Sequence, residues 1–370
     1  MIAGIIYEKP TITGGLFCVY LNDVLPLIIQ VKLVDLQCSS LGGIGPIING
    51  RGFMARYLIT GIAGFIGSSL AHALVAQGHE VSGFDNLSTG NTKNLADIRE
   101  SINFQDMDLQ DKDGVRDACK GIDYVLHQGA LASVPRSVKD PLSSHESNVN
   151  GTLNLLLAAR DAGVRRIVYA ASSSAYGDQP TQPKHEEMSP MPLSPYAVQK
   201  LTCEFYIQAF YKVYGLEGVC LRYFNIFGPR QAADSPYSGV IAQFIYKMMA
   251  GETPTIFGDG STSRDFTYVD NAVNANLLAC LAPKEVATGR VFNIGTGKSH
   301  TLNDVYAGIA DILGFSGKPD YGPPRAGDIQ HSLASIERAS KEIGYTPKAD
   351  FHDGLEKTVA WYVSEGKPGQ

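Results

Sequence analysis

Thr60-Gly-Ile-Ala-Gly-Phe-Ile-Gly67 decides the fold. The apolar run before it, Tyr57 to Thr60, has the length of a buried strand, and Phe65 to Gln77 after it carries the apolar repeat of a helix. Glycine at 61, 64 and 67 lets the chain turn tightly between the two and lets a bound group approach the backbone. The free N–H groups and dipole of the helix N-terminus then face an anion, so strand, turn and helix together form a seat for a pyrophosphate. Asp85 stands at the end of the next apolar run, Glu80 to Phe84, 18 residues after Gly67. A carboxylate there accepts from both hydroxyls of a ribose and repels a 2′-phosphate, which favours NAD over NADP.

Working outward, short apolar runs recur at Asn103 to Asp106, Tyr124 to His127, Arg166 to Ala171 and Gly218 to Arg222. Helical patterns fill the gaps near Lys112 to Lys120, Glu146 to Ala162 and Pro195 to Tyr214. Six strands alternating with crossover helices predict an α/β fold with a doubly wound parallel sheet, the Rossmann arrangement. Beyond about Asn225 the alternation weakens and Gly and Pro become frequent, as in Phe257 to Gly260 and Tyr321 to Gly327. Residues 54–225 are therefore expected to form the NAD-binding domain. Residues 226–370 are expected to form mainly a smaller, irregular α/β substrate lobe, with some strands and helices returning to the first domain. Residues 1–53 fit neither part. Their apolar stretch, Leu16 to Leu36, is interrupted by Asn22, Asp23, Pro26, Gln30, Lys32 and Asp35, too polar for a bilayer span, and no signal-peptide pattern precedes it. A Gly-rich stretch leads to Met54, which reads as a natural start; the preceding segment is expected to be unstructured or a start-site artefact.

Hydrophobic residues at 44% and charged residues at 18% of 370 exclude a disordered chain and a membrane bundle. A net charge of −6 argues against a nucleic-acid partner, which needs a basic surface. Cys18, Cys38, Cys119, Cys203, Cys220 and Cys280 are scattered, with no CxxC pair and no histidines at ligand spacing. Reduced thiols, no bound metal and a cytoplasmic location are the expectation.

In Pro195-Tyr-Ala-Val-Gln-Lys200, Tyr196 and Lys200 lie four apart at a helix start and project from one face. A phenol is a poor base at neutral pH, but a neighbouring ammonium and an oxidised nicotinamide both favour the phenolate. The pair follows the fifth strand of a dinucleotide fold, about two dozen residues past a run of serines, and reads as the catalytic centre.

Gly61 to Gly67, Ser172-Ser-Ser-Ala-Tyr-Gly177, Tyr196 to Lys200, Leu221-Arg-Tyr-Phe-Asn225, Gly258-Asp-Gly260 and Arg264-Asp-Phe-Thr-Tyr-Val-Asp270 appear in this order. Together they resemble the extended short-chain dehydrogenase/reductases, and within them bacterial UDP-hexose and UDP-N-acetylhexosamine 4-epimerases, over essentially all of 54–363. Residues 1–53 have no counterpart. The resemblance implies that Ser172 bonds the sugar 4-hydroxyl beside Tyr196 and that Lys200 holds the nicotinamide ribose. It implies further that Gly61, Gly64, Phe65, Ile66, Gly67, Asp85, Asn86, Asp108 and Leu109 line the cofactor site, with Tyr223 and Phe224 near the nicotinamide. Ser133, Arg136, Ser173, Ser174, Asn225, Gln231, Arg264, Arg325, Asp328 and Ser332 are implied on the substrate side. Two guanidiniums, Arg264 and Arg325, can clamp a diphosphate.

The positions after Ser172 separate reaction types. The 4,6-dehydratases of this superfamily carry an Asp-Glu pair there, since elimination of water needs an acid and a base beyond the tyrosine. Ser173 and Ser174 can do neither job, which leaves reversible oxidation at C4 with NAD tightly held and regenerated each turnover. Ser332 aligns where family members accepting N-acetylhexosamines carry a small residue and those restricted to plain hexoses a bulky one. Ser133 to Ser137 and Gln231 point to the acetylated group, whereas Ala132 replaces a glycine common there. The acetylated pair UDP-GlcNAc/UDP-GalNAc is preferred, with UDP-Glc/UDP-Gal open. A UDP-uronate 4-epimerase, a 4,6-dehydratase and a non-catalytic dinucleotide sensor are the alternatives. Helices near 146–162 and 195–214 are apolar on more than one face, with Leu155, Leu156, Leu157, Phe205, Tyr206, Phe210 and Tyr211, which together with the resemblance suggests a homodimer through four helices.

Overall fold

The computed structural model describes residues 54–233, 238–324 and 329–366. The extension 1–53, Arg325 and Asp328 lie outside them. Seven parallel strands form one sheet: β1 (Arg56–Thr60), β2 (Glu80–Asp85), β3 (Ile102–Asp106), β4 (Tyr124–His127), β5 (Arg166–Ser172), β6 (Glu217–Tyr223) and β7 (Arg290–Ile294). Their spatial order is β7-β6-β5-β4-β1-β2-β3. Chain order reverses between β1 and β4, which opens a crevice at their C-terminal ends.

Six of these strands lie where the apolar runs predict them; the seventh corrects the six-strand count. Arg290–Ile294 is a short apolar run separated from β6 by the intervening lobe, so no strand–helix alternation announces it. It pairs with β6 in register from Arg290 opposite Val219 to Ile294 opposite Tyr223. The strands are apolar on both faces, as parallel strands covered by helices must be. Ile59, Leu126, Val168, Leu221 and Phe292 enter one core, while Leu58, Val125, Ile167, Cys220 and Val291 enter the other. Each fully buried aliphatic contributes roughly 1.5–3 kcal/mol by leaving water.

Helix α1 (Phe65–Ala76) follows the glycine loop, and α2 (Lys112–Ala118) begins at Asp111, whose carboxylate caps Gly114 N–H at 3.0 Å. The single helix expected over 146–162 is instead a π-type turn, Glu146–Asn150, running into α3 (Gly151–Asp161). Asn148 in that turn is buried. Its Oδ1 accepts Leu131 N–H at 2.7 Å and its amide donates to Gln199 Oε1 at 2.9 Å, so the wide turn ties the loop after β4 to the next helix. That helix, α4 (Pro195–Tyr214), starts with Pro at its first position, is capped by Ser194 accepting Ala197 N–H, and stops at left-handed Gly215.

The smaller lobe has its own core of Phe227, Phe244, Ile245, Tyr268, Tyr306, Phe351 and Leu355. One of its helices, α5 (Val269–Leu281), packs Ala272, Ala275 and Ala279 into the core under the sheet. A three-stranded sheet places Ser263–Arg264 between His300–Thr301 and His331–Ser332. No helix among the described residues is long and apolar enough to cross a membrane.

Behind the crevice His127 is 1% exposed. Its ring lies between Thr60 Oγ1 at 2.7 Å and Thr152 Oγ1 at 2.9 Å. Burial, reinforced by the charge of Lys200, pushes its pKa down to about 3. The unfolded chain therefore binds this proton below about pH 6.5 while the folded chain does not, so stability present above that pH is lost as pH falls towards 3. Between pH 7 and 5 this one group is expected to cost about 2 kcal/mol of unfolding free energy. Urea titrations of wild type and His127→Gln at both pH values check it; equal pH dependence in the two proteins would remove the claim.

Candidate active site

The glycine loop sits at the crevice. Gly61 has φ of 67°, and a β-carbon there would come within 2.8 Å of the Gly129 backbone at the end of β4. A β-carbon on Gly67 would collide with the Gly61 carbonyl oxygen, so the loop and α1 close together only without side chains. The first N–H groups of α1 are left facing the cleft, the arrangement a pyrophosphate needs. Gly61, Gly64, Phe65, Ile66 and Gly67 all line it.

Asp85, Asn86, Asp108 and Leu109 line an adjoining cavity that shares Gly61 and Gly64. The Asp85 carboxylate accepts Ala63 N–H at 3.1 Å and Leu87 N–H at 2.9 Å. Burial raises its pKa, opposed by those backbone donors. The Asn86 amide bonds Asp108, whose other oxygen takes Gln110 N–H at 2.8 Å. Loop, carboxylate and adjoining cavity fit an adenosine and its pyrophosphate, and they supply the donor set NAD requires.

Tyr196, Lys200, Ser172 and Tyr223 line the main cleft, of about 1200 Å³, with Ser133, Arg136, Asn225 and Gln231. The cleft has room for two nucleotide-sized ligands. Tyr196 N–H donates to Ser137 Oγ at 3.0 Å, which anchors the start of α4. Lys200, one turn on, donates to Ala170 O at 2.9 Å, and its Nζ lies 5.9 Å from the Tyr196 ring centre and 4.9 Å from that of Tyr169. Burial brings Lys200 down to about 8, with Cys203 and Glu204 opposing, so the ammonium remains charged at pH 7. Burial pushes Tyr196 up to about 12, against a hydrogen bond with Ser172. The chain by itself thus holds Tyr196 as the phenol. Further positive charge is needed to make it a base.

Ser172 closes β5 and caps the turn Ser173–Tyr176, accepting Ser174 N–H at 3.2 Å and the Ser174 hydroxyl at 2.8 Å. Ser173 and Ser174 themselves are not in the cleft lining. Phe224, expected near the nicotinamide, is not on the cleft wall and is buried against Tyr176 and Ala334. Arg264 and Ser332 face each other in register on paired strands, yet neither belongs to the cleft wall formed by the described residues.

Three neighbours, Gln128, Asn276 and Glu204, have no motif to announce them. Gln128, at the end of β4, accepts from the Tyr223 hydroxyl at 3.3 Å, and Asn276 of α5 donates to that hydroxyl at 2.7 Å. Under Lys200, Glu204 and Arg222 form a buried two-point ion pair at 3.0 and 2.8 Å. Arg222 lies on β6 and Glu204 on α4, far apart in sequence, so only the packing of helix on sheet reveals the pair.

A family profile for the NAD dependent epimerase/dehydratase family matches residues 57–295. This chain belongs to that family. The match spans every strand of the sheet except the first residue of β1, and with it the glycine loop, Ser172, Tyr196 and Lys200. UDP-glucose 4-epimerase of Mycolicibacterium smegmatis is 38% identical over 317 residues, 84% of this chain and 100% of the relative. Among solved structures, UDP-N-acetylglucosamine 4-epimerase of Methanobrevibacter ruminantium, in complex with UDP-N-acetylmuramic acid, is 40% identical. It has a TM-score of 0.80 and coverage of 84% of this chain and 99% of that one. The UDP-glucose 4-epimerase of Thermotoga maritima with UDP-glucose is 36% identical at the same TM-score of 0.80 and the same coverage of 84% and 99%. Both α/β architecture and NAD dependence of this epimerase/dehydratase family agree with the glycine loop and the sheet order.

Proposed function

We propose that this chain is an NAD-dependent UDP-sugar 4-epimerase acting on UDP-GlcNAc/UDP-GalNAc, with UDP-Glc/UDP-Gal as a second pair. The observation that carries the reading is one cleft wall holding Ser172, Tyr196 and Lys200, followed by serines at 173 and 174 where a dehydratase needs acids. NAD, when bound, supplies the oxidant and reductant for C4, taking and returning one hydride. The residues to hold it are the glycine loop, Asp85, Asn86, Asp108, Leu109, Lys200 and Tyr223.

The Tyr196 oxygen accepts the proton of the C4 hydroxyl, with Ser172 bonded to that hydroxyl and to the phenol. Lys200 keeps its charge beside the ring and favours the phenolate. After the 4-keto sugar turns about its link to the held diphosphate, Tyr196 returns the proton to the C4 oxygen, so no net acid or base is consumed. Ser133, Arg136, Asn225 and Gln231 on the cleft wall support a UDP-sugar site there, and Arg264, Ser332, Arg325 and Asp328 are the further residues proposed to complete it. The residue division at about 225 follows from this assignment, with the cofactor on the sheet and the substrate held mainly by the lobe.

Apolar side chains on the outer faces of α3, α4 and the short helix Pro141–His145 support a homodimer. Leu142 is 77% and Phe205 56% exposed, with Leu157 and Val198 on the same set of elements, whereas Leu155, Leu156 and Phe210 face the core. Incubating the protein with each UDP-sugar and no added NAD, then separating the products, is expected to give the 4-epimer of the acetylated sugars. A 4-keto-6-deoxy product would establish a dehydratase, and no turnover of any UDP-sugar a sensor. The same preparation is expected to sediment as a dimer; a monomer at micromolar concentration would remove the helical interface.

A further inference from the structure

The segment after β6 half-buries a cation that forms no ion pair among the described residues. Arg230 stands at φ of 68°, a left-handed conformation that costs a residue with a β-carbon and persists only where its surroundings enforce it. Its Nη2 donates to Ser69 Oγ at 3.1 Å, on the second turn of α1. Its Nε is buried and has no hydrogen-bond partner among the described residues. Asp97 and Asp270 act on it only through space, and burial holds the guanidinium below its ordinary pKa. A desolvated charge with an idle donor is costly unless a ligand pairs with it.

Arg230 lines the same cleft as Gly64, Phe65 and Gly67. The group that completes it is therefore an anion lying between this segment and the first turn of α1. That is where the glycine loop presents its N–H groups. We propose that Arg230 pairs with the pyrophosphate of NAD, its Nε–H bonding a phosphate oxygen while Ser69 fixes the guanidinium plane. This rests on the NAD reading of the glycine loop and adds to it a charged clamp from the opposite side. The backbone N–H groups hold the anion from the sheet side, and Arg230 holds it from the segment that also carries Gln231, the proposed sugar contact.

The test compares wild type, Arg230→Gln and Arg230→Lys for NAD retained through gel filtration. After nucleotide removal, calorimetry measures affinity for ADP, adenosine and UDP. Arg230→Gln is expected to lose NAD and to bind ADP about 10- to 100-fold more weakly, with adenosine and UDP within about threefold of wild type. Arg230→Lys keeps the charge and should fall between. Wild-type ADP affinity should also drop more steeply with salt than adenosine affinity, a readout that needs no variant to fold. Equal losses for ADP and adenosine would assign Arg230 a structural role and overturn the pairing. A loss confined to UDP would move the contact to the substrate diphosphate and overturn it too. A wild-type protein that binds neither NAD nor ADP would refute the cofactor reading itself, whereas normal NAD binding unaffected by Arg230→Gln would sink the clamp alone.

Discussion

Tyr196→Phe is expected to lower kcat by about 100- to 10,000-fold with little change in UDP-sugar affinity, because it removes one oxygen and with it the group that, in the proposed mechanism, exchanges a proton with C4-OH. The structure sharpens why no neighbour substitutes. Ser172 shares that wall, but its ordinary hydroxyl cannot act as a base at neutral pH, and Lys200, at about 8, is predominantly an ammonium there. His127, the nearest buried imidazole, is bound on both sides by threonine hydroxyls and does not line the cleft. Steady-state kinetics with calorimetric UDP-sugar binding checks the split. Retention of more than about a tenth of wild-type kcat would mean that another residue performs the proton transfer.

The second large effect concerns the sugar. Ser332→Tyr is expected to reduce turnover of the N-acetylated pair by about 100-fold while the plain hexose pair stays within a few-fold, if the proposed acetamide pocket lies at Ser332 and the added ring fills it. Ser332 is only 9% exposed, and its backbone is pinned: its carbonyl accepts Asp265 N–H at 2.8 Å, and it pairs in register with Arg264. A retreat of this strand would break that hydrogen bond and the pairing with Arg264. Measuring kcat/KM for both pairs on the same preparation decides it. Equal losses on both would show that the substitution disturbs the Arg264 strand and not an acetamide pocket.

Asp265 makes that second outcome physically distinct from the first. Its carboxylate accepts Thr296 N–H and hydroxyl, each at 2.8 Å, and Gly297 N–H at 3.0 Å, binding the Arg264 strand to the loop after β7. A change that loosened this junction would move Arg264 with Ser332 and so affect every UDP-sugar alike. Selectivity between acetylated and plain sugars is thus the readout that separates a pocket from a scaffold.

What the sequence alone determined is what local spacing encodes. The glycine turn between strand and helix, the carboxylate at the end of β2, and the Tyr196–Lys200 pair one helical turn apart are each short-range patterns, and six strands followed from apolar runs separated by helical ones. Tertiary structure decided the rest. It added β7, whose partner strand precedes the whole lobe, and a π-type turn where Asn148 had to reach Leu131 and Gln199. It buried Phe224, kept Ser173 and Ser174 off the cleft wall, and set Glu204 against Arg222 under Lys200. It also brought Arg230 to Ser69 across the crevice. Burial and charge pairing are sums over residues distant in the chain, so they become visible only when the sheet and the lobe are assembled, and it is burial that raises the Tyr196 phenol above its ordinary pKa.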